Sequence, residues 1–352
     1  MTDAWMIYGA YGYTGRLIVE RAVALGLKPT VAGRNEDQTQ SLALEFGLPH
    51  RSFELDDIKA LRQGLDGMRA VLHCAGPFSR TAPPMIAACL QVGTHYLDIT
   101  GEIEVFAYAH SNDAAARKRG IALIPGVGFD VVPTDCLSAL LKRELPDANE
   151  LVLAFDAEGG PSRGTALTSL EGIAGGGRVR RDGVLLKVPL AYKQREFDFP
   201  HGRRSAMTIP WGDVYTAFVS TGIPNIEVYM GMPPRTIAAM RRMRRFAPLL
   251  GLAPAQWLLK RMIASRVTGP DQQRRGNSHA YVYGEVRNSR GETRAATLTT
   301  PNGYELTAEA ALTIARFLAS DRRPHAGYFT PSLLMGADFI KHLPGVAYTK
   351  LK

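Results

Sequence analysis

Three glycines spaced as Gly9-x-x-Gly12-x-x-Gly15 stand between a short apolar run, Trp5–Tyr8, and a helical pattern over 16–25. Glycine allows the tight turn there, and it lets backbone approach a phosphate whose charge sits against the unpaired N–H groups of the helix start. A pattern of three glycines is weak alone. Here the strand, the helix and a following strand are all in place, which makes it a dinucleotide-binding turn rather than a plain connection.

Apolar runs and helical patterns keep alternating after it: 30–32 as a strand, 38–46 as a helix, 70–75 as a strand, 84–92 as a helix, 96–99 as a strand, 104–119 as a helix and 121–124 as a strand. Such alternation predicts α/β architecture, a doubly wound parallel sheet of Rossmann type with six strands. Past Pro125 the texture changes. A helix over 131–143, a strand over 151–157 and a helix over 164–173 precede a Gly- and Pro-rich stretch with β-like runs at 217–220 and 226–230. A hairpin follows over 279–286 and 295–299, and Thr307 caps a helix that runs to Leu318. At 352 residues the chain suits two domains. Residues 1–130 are expected as the dinucleotide-binding domain and 131–324 as an α+β substrate and dimerisation domain. A helical tail, 325–352, is expected to return to the first domain.

The second strand ends in Gly33-Arg34-Asn35, about 19 residues after Gly15, where an NAD site places an acid on the ribose. Arginine stands there instead. Its guanidinium pairs with a 2′-phosphate and gains nothing comparable from a free hydroxyl, and Asn35 adds a neutral hydrogen bond, so NADP(H) is the expected cofactor. Tyr11, Tyr13 and Thr14 complete the turn. Ala75-Gly76-Pro77-Phe78 lies where the nicotinamide half is expected, at the carboxyl edge of the sheet.

Net charge is +9, which favours anionic partners. No zinc finger or RNA-binding aromatic signature is present, so nucleic acid is not expected. The basic segment 241–266, interleaved with Leu, Met, Phe and Trp257, suits either peripheral contact with an anionic membrane or acidic carrier, or a helical pair packed on the second domain. Three cysteines without paired spacing and no readable leader suggest a reducing cytoplasm, and no His, Cys and carboxylate set suggests a metal.

Five stretches together, Tyr8-Gly9-Ala10-Tyr11-Gly12-Tyr13-Thr14-Gly15, Ala32-Gly33-Arg34-Asn35, Cys74-Ala75-Gly76-Pro77-Phe78, His95-Tyr96-Leu97-Asp98-Ile99-Thr100-Gly101-Glu102 and Gly126-Val127-Gly128-Phe129-Asp130, make the chain resemble the saccharopine dehydrogenase-like oxidoreductases. It is most similar to the branch with trans-acting enoyl reductases. The likeness continues through Gly269-Pro270-Asp271, Gly303-Tyr304-Glu305-Leu306-Thr307-Ala308 and Thr330-Pro331. It implies an NADP-binding Rossmann domain, an α+β second domain and hydride transfer to a C=C or C=N bond of a small, lipid-like or carrier-bound acyl substrate. This chain is shorter than typical enoyl-reductase members. The turn also looks like that of N-acetyl-glutamyl-phosphate reductases, but those place a cysteine just after a Pro-Gly pair. Here Val127 follows Pro125-Gly126, and Cys136 lies further on in an apolar helix.

Reduction of such a bond needs a proton donor or a stabilising charge. Glu102 and Asp130 follow successive strands and are the expected catalytic acids of a crevice between domains, with His95 and Tyr96 behind them. Each acid has a plainer role as a helix-end charge or cap. A homodimeric reductase is therefore expected, and a non-catalytic dinucleotide sensor or membrane-associated adaptor is its rival.

Overall fold

The computed structural model describes residues 4–351 apart from 161, 163, 165, 167–174, 245–260, 262–268 and 321–324. Its chain separates into two compact units, one of 1–132 with 304–336 and one of 133–303 with 337–352.

The first unit opens with β1 (Trp5–Tyr8), α1 (Tyr13–Ala24), β2 (Thr30–Gly33), α2 (Glu36–Phe46), β3 (His50–Ser52) and α3 (Ile58–Leu65). It continues with β4 (Ala70–His73), α4 (Phe78–Val92), β5 (His95–Asp98), α5 (Ile103–Ser111), α6 (Asp113–Arg119) and β6 (Ala122–Ile124). Every strand pairing is parallel, and Ile7, Val31, Leu72, Leu97 and Ile124 form a fully buried row across the sheet. Helices cover both faces of such a sheet, which is why its strands read as unbroken apolar runs rather than alternating ones.

The second unit begins within α7 (Val132–Glu144) and holds β7 (Glu150–Ala157), β8 (Gly177–Arg181), β9 (Val184–Val188), β10 (Gln194–Phe199), β11 (Gly202–Thr208), α8 (Asp213–Thr221) and β12 (Asn225–Gly231). After these come α9 (Pro234–Met243), α10 (Gln272–Gly276), β13 (His279–Arg287) and β14 (Thr293–Pro301). The chain then enters the first unit as α11 (Gly303–Ser320), β15 (Gly327–Tyr328) and α12 (Pro331–Met335), and leaves it for a 3-10 turn, Ala337–His342, and β16 (Ala347–Leu351).

β15 completes a seven-stranded sheet in the order β15-β6-β5-β4-β1-β2-β3. The other sheet is mixed: β10-β11-β12-β7-β13-β14-β16, with β8 on β12 and β9 on β8. Only β12 and β7 run parallel in it. Gly284 lets Leu137 and Leu141 of α7 press on one face, where an added Cβ would lie 2.8 Å from each. On the opposite face β10 curls back to β13. Arg195 grips Glu285 with two hydrogen bonds of 3.0 and 2.8 Å, and Phe197 packs 5.2 Å from Tyr283.

Several sequence expectations need correction. The β-like run 217–220 lies in helix α8, because Gly222, at φ 70°, closes that helix with its amide on the Phe218 carbonyl and local capping outweighs β-branched propensity. Thr307 is no cap. Helix α11 already starts at Gly303, and the Thr307 hydroxyl accepts from the Phe129 amide at 2.9 Å. The helix expected over 104–119 breaks at Asn112, whose side chain donates to the Tyr108 carbonyl and competes with the helical ladder.

The sheet has seven strands rather than six: to the five readable runs it adds β3 and β15, which are too short and too polar or glycine-bearing to show a pattern. Helix α11, expected in the second domain, belongs to the first unit. The tail is helical only through Met335 and the 3-10 turn, and its last strand joins β14 instead of the first domain. The helix expected over 164–173 and most of 241–266 lie outside the described residues. Among the described residues, no helix is long and apolar enough to cross a membrane.

The turn between β1 and α1 depends on one close approach. A Cβ on Gly15 would stand within 3.0 Å of Gly9 and Ala10 backbone atoms. Gly15→Ala is expected to cost about 1–3 kcal/mol as overpacking against backbone that cannot swing aside. Urea denaturation checks this, and an unchanged midpoint contradicts it.

Candidate active site

Where β1 ends, Gly9 adopts φ 79° and donates its amide to the Ala32 carbonyl, so the turn is tied to β2. A Cβ on Gly9 would meet Ala75 at 2.8 Å, which explains that glycine by packing alone. Gly12 is different. As N-cap of α1 it has an ordinary extended backbone, and its added Cβ would meet only the Gly9 carbonyl, at 3.2 Å. As a glycine, this N-cap supplies no side-chain hydrogen bond, and no acid stands in the first turn of α1. Its amides are therefore placed to receive an anion, and a pyrophosphate fits this chain's own residues there.

β2 places Gly33 under the ring of Tyr11, where a Cβ would lie 2.3 Å from a ring carbon. The next residue, Arg34, is exposed at the strand tip. Asn35 caps α2, its side-chain oxygen accepting from the Gln38 amide at 2.9 Å, and its own amide lies 3.4 Å from the Tyr11 hydroxyl. Tyr11, Arg34 and Asn35 are thus together at the strand tip. Asn35 keeps only its amide NH2 for a ligand, because its oxygen is spent on the helix.

Beyond β4, Ala75-Gly76-Pro77-Phe78 forms the loop opening α4, with a cis Gly76–Pro77 bond and Gly76 beside the Phe78 ring, where a Cβ would lie at 3.6 Å. Thr81 donates back to the Ala75 carbonyl at 2.7 Å and fixes the loop. Beneath it His73 is fully buried against Tyr8, Phe78 and Tyr96, with ring centroids 5.6, 5.5 and 6.2 Å away. Burial pushes its imidazole down to about 3, so it packs as a neutral ring.

Both expected acids lie in this unit, on the loops after β5 and β6. Glu102 accepts from the amides of Phe78 and Ser79 at 2.9 and 2.7 Å. Its charge therefore caps α4, not the helix α5 that it precedes, and both oxygens are engaged in doing so. Asp130 stands by Gly101, where a Cβ would be 3.1 Å from its Oδ2. Burial, with the Glu102 charge adding to it, pushes Asp130 up to about 7. This carboxyl is divided between its acid and base forms near neutral pH.

Sequence reasoning overlooked Asp98. Fully buried, it accepts from the Thr100 and Gly126 amides, both at 2.9 Å, and from the Tyr96 hydroxyl at 2.6 Å. One carboxylate thereby ties together the loops that carry Glu102 and Asp130. A charged residue closing an apolar strand was its signal. Of the lesser candidates, His95 accepts the Ala122 amide on Nδ1 at 2.9 Å, and burial pushes it down to about 4. Tyr96 serves Asp98. Cys136 is fully buried in α7 with its thiol pushed well up by burial, so it offers no thiolate.

The raised Asp130 carboxyl has a stability consequence. Its folded value exceeds the unfolded one near 3.8, so the native state holds more protons and stability falls as pH rises from about 4 to 7. Asp130→Asn is expected to flatten that fall and to exceed wild type in stability at pH 8 by about 1 kcal/mol or more, relative to pH 5. Urea midpoints at both pH values test it, and parallel slopes refute it.

Residues 5–122 match the family model described as saccharopine dehydrogenase NADP binding domain. A human saccharopine dehydrogenase-like oxidoreductase is 31% identical over 152 residues, 37% of this chain and 35% of its own. A putative trans-acting enoyl reductase of Mycobacterium tuberculosis is 30% identical over 188 residues, 47% of this chain and 43% of that protein. The chain thus spans about a third to under half the length of these curated relatives. The fold is shared with apo saccharopine dehydrogenase (L-Glu forming) of Saccharomyces cerevisiae, at a TM-score of 0.67 and 12% identity, over 99% of this chain and 100% of that one. The three-glycine turn and the arginine-tipped second strand both lie within residues 5–122, the stretch that is similar to the saccharopine dehydrogenase NADP binding domain.

Proposed function

We propose that this protein is an NADPH-dependent reductase that delivers hydride to a C=C or C=N bond of a small, lipid-like or carrier-bound acyl substrate. The observation that carries this reading is the placement of Asp130, a carboxyl poised near neutral pH, in the same unit as the open helix end that receives the pyrophosphate. The nicotinamide supplies the hydride when bound. The protein's own part is to hold the dinucleotide and to supply a proton.

The turn at Gly9, Gly12 and Gly15 receives the pyrophosphate through amides at the start of α1. Arg34 reads the 2′-phosphate, with Tyr11 and Asn35 beside it. Asp130, in its protonated form, gives its proton to the substrate atom that gains negative charge as the bond is reduced, and water restores it. Glu102 is a positioning residue here, since its oxygens hold the start of α4 and with it the Gly76–Pro77 loop. A reducing, cytoplasmic setting belongs to the same reading and agrees with three free thiols.

Oxidation of NADPH against a panel of enoyl thioesters and imines tests the proposal, with Asp130→Asn expected to lower kcat at least about tenfold. Tight NADPH binding with no turnover on any of them supports the dinucleotide sensor instead. For the cofactor, Arg34→Ala is expected to weaken NADPH binding by about one to two orders of magnitude, from the loss of a charge-assisted contact, and to leave NADH nearly unchanged. Equal weakening of both cofactors refutes that role. Gly12→Val is expected to abolish binding of either cofactor while the fold persists, because its branch takes the pyrophosphate's space. Calorimetry near wild-type affinity overturns that assignment.

A further inference from the structure

The NADP-binding family match ends at residue 122, yet the first unit also contains 304–336. Helix α11 enters this unit at Tyr304, and its first turns touch both ends of α1 and the Asp130 loop. The Tyr304 ring meets Tyr13, the first residue of α1, edge-on at 5.0 Å and 80°. One turn later, Thr307 accepts the Phe129 amide at 2.9 Å, beside Asp130. Gly128 has no room for a side chain there, since a Cβ would lie 2.9 Å from the Thr307 methyl. Two residues on, Glu309 pairs with Arg21 of α1 at 2.5 Å. Helix α11 is therefore fixed to α1 at two points along its length and to the Asp130 loop at a third.

From this we infer that Tyr304 is a positioning residue for the dinucleotide site: its ring braces Tyr13 and holds the phosphate-binding start of α1 in the geometry that receives the pyrophosphate. This rests on the cofactor reading above. The physical argument is one of rigidity. The N-cap Gly12 has no side chain with which to cap α1, so packing on Tyr13 adds to the Gly15–Gly9 approach in fixing the orientation of the first turn. An edge-to-face aromatic pair is directional, and it restrains Tyr13 in a way that a smaller side chain cannot. Thr307 and Glu309 hold α11 in register on α1 and the Asp130 loop, so loss of the Tyr304 ring leaves the helix seated while removing the brace.

The test uses the full chain with Tyr304→Ala and Tyr304→Phe, and measures calorimetric binding of NADPH and of adenosine 2′-monophosphate. The second ligand carries the phosphate read at Arg34 but has no pyrophosphate to meet α1. Tyr304→Ala is expected to raise the NADPH Kd about three- to tenfold, a loss of the size that aromatic pairs carry, and to leave the adenosine 2′-monophosphate Kd within a factor of two. Tyr304→Phe keeps the ring and is expected to bind NADPH as wild type does. The inference is overturned if Tyr304→Ala binds NADPH unchanged, if both ligands weaken alike, or if Phe and Ala lose affinity equally. Wild-type protein that binds no NADPH sinks this inference and the cofactor reading together. Binding by wild type with no effect in the alanine variant sinks this inference alone.

Discussion

The approach of Gly15 to the Gly9 carbonyl is the contact on which the dinucleotide site depends. It brings the start of α1 directly against the end of β1, and Gly9 in turn pins the turn to β2 through the Ala32 carbonyl. The amides at the start of α1 are thereby placed beside the β2 tip that carries Arg34. A helix dipole and a guanidinium set close together in this way both favour phosphate, and neither has to be buried to do so. Gly12 contributes by absence. An added Cβ there would press on the Gly9 carbonyl at 3.2 Å, a tight contact but a far looser one than Gly15 faces.

At the other end of the site two carboxylates bear most of the structural load. Asp98 gathers two backbone amides and a phenol in a fully buried position, and burial pushes it up to about 7 despite those three donors. Removal of such a group would leave three buried donors unsatisfied, which makes it an anchor of the β5 and β6 loops. Glu102 anchors α4 in the same manner. Asp130 in turn bears the Glu102 charge. Its raised value follows first from burial and then from that charge.

Much of the first sheet was legible because a doubly covered parallel sheet imposes long apolar strands, and the row from Ile7 to Ile124 carries no polar interruption. The turn and the Arg34 position were legible because glycine and arginine at those spacings answer to specific geometry. The strands β3 and β15 were not, for a three-residue polar strand and a two-residue strand have no period to read. Neither was the assignment of α11. Its apolar face, with Leu306, Ala310, Ile314 and Leu318 buried, says that it packs but not against what, and only the Tyr13, Phe129 and Arg21 contacts settle that. The role of Glu102 was half visible: a helix-end charge was expected, but on the helix beside it in sequence rather than on α4, which precedes it by 24 residues.

In the proposed function the cofactor preference rests on an exposed cation, and that sets its character. A buried ion pair would gain strength from a low dielectric and lose much of it to desolvation. Arg34 keeps its water in the free protein and gives little of it up on meeting a phosphate at the surface, so discrimination comes from the extra charge of the 2′-phosphate rather than from shape. Asn35 cannot substitute for it. Its oxygen is held by the Gln38 amide, and its NH2 donates as readily to a hydroxyl as to a phosphate, so it helps either cofactor. Nor does the start of α2 carry discrimination, because Glu36 and Asp37 in its first turn offset the dipole there. In the proposed function, selection between the two dinucleotides therefore falls to one guanidinium, placed by a four-residue strand and by the tyrosine ring that lies over Gly33.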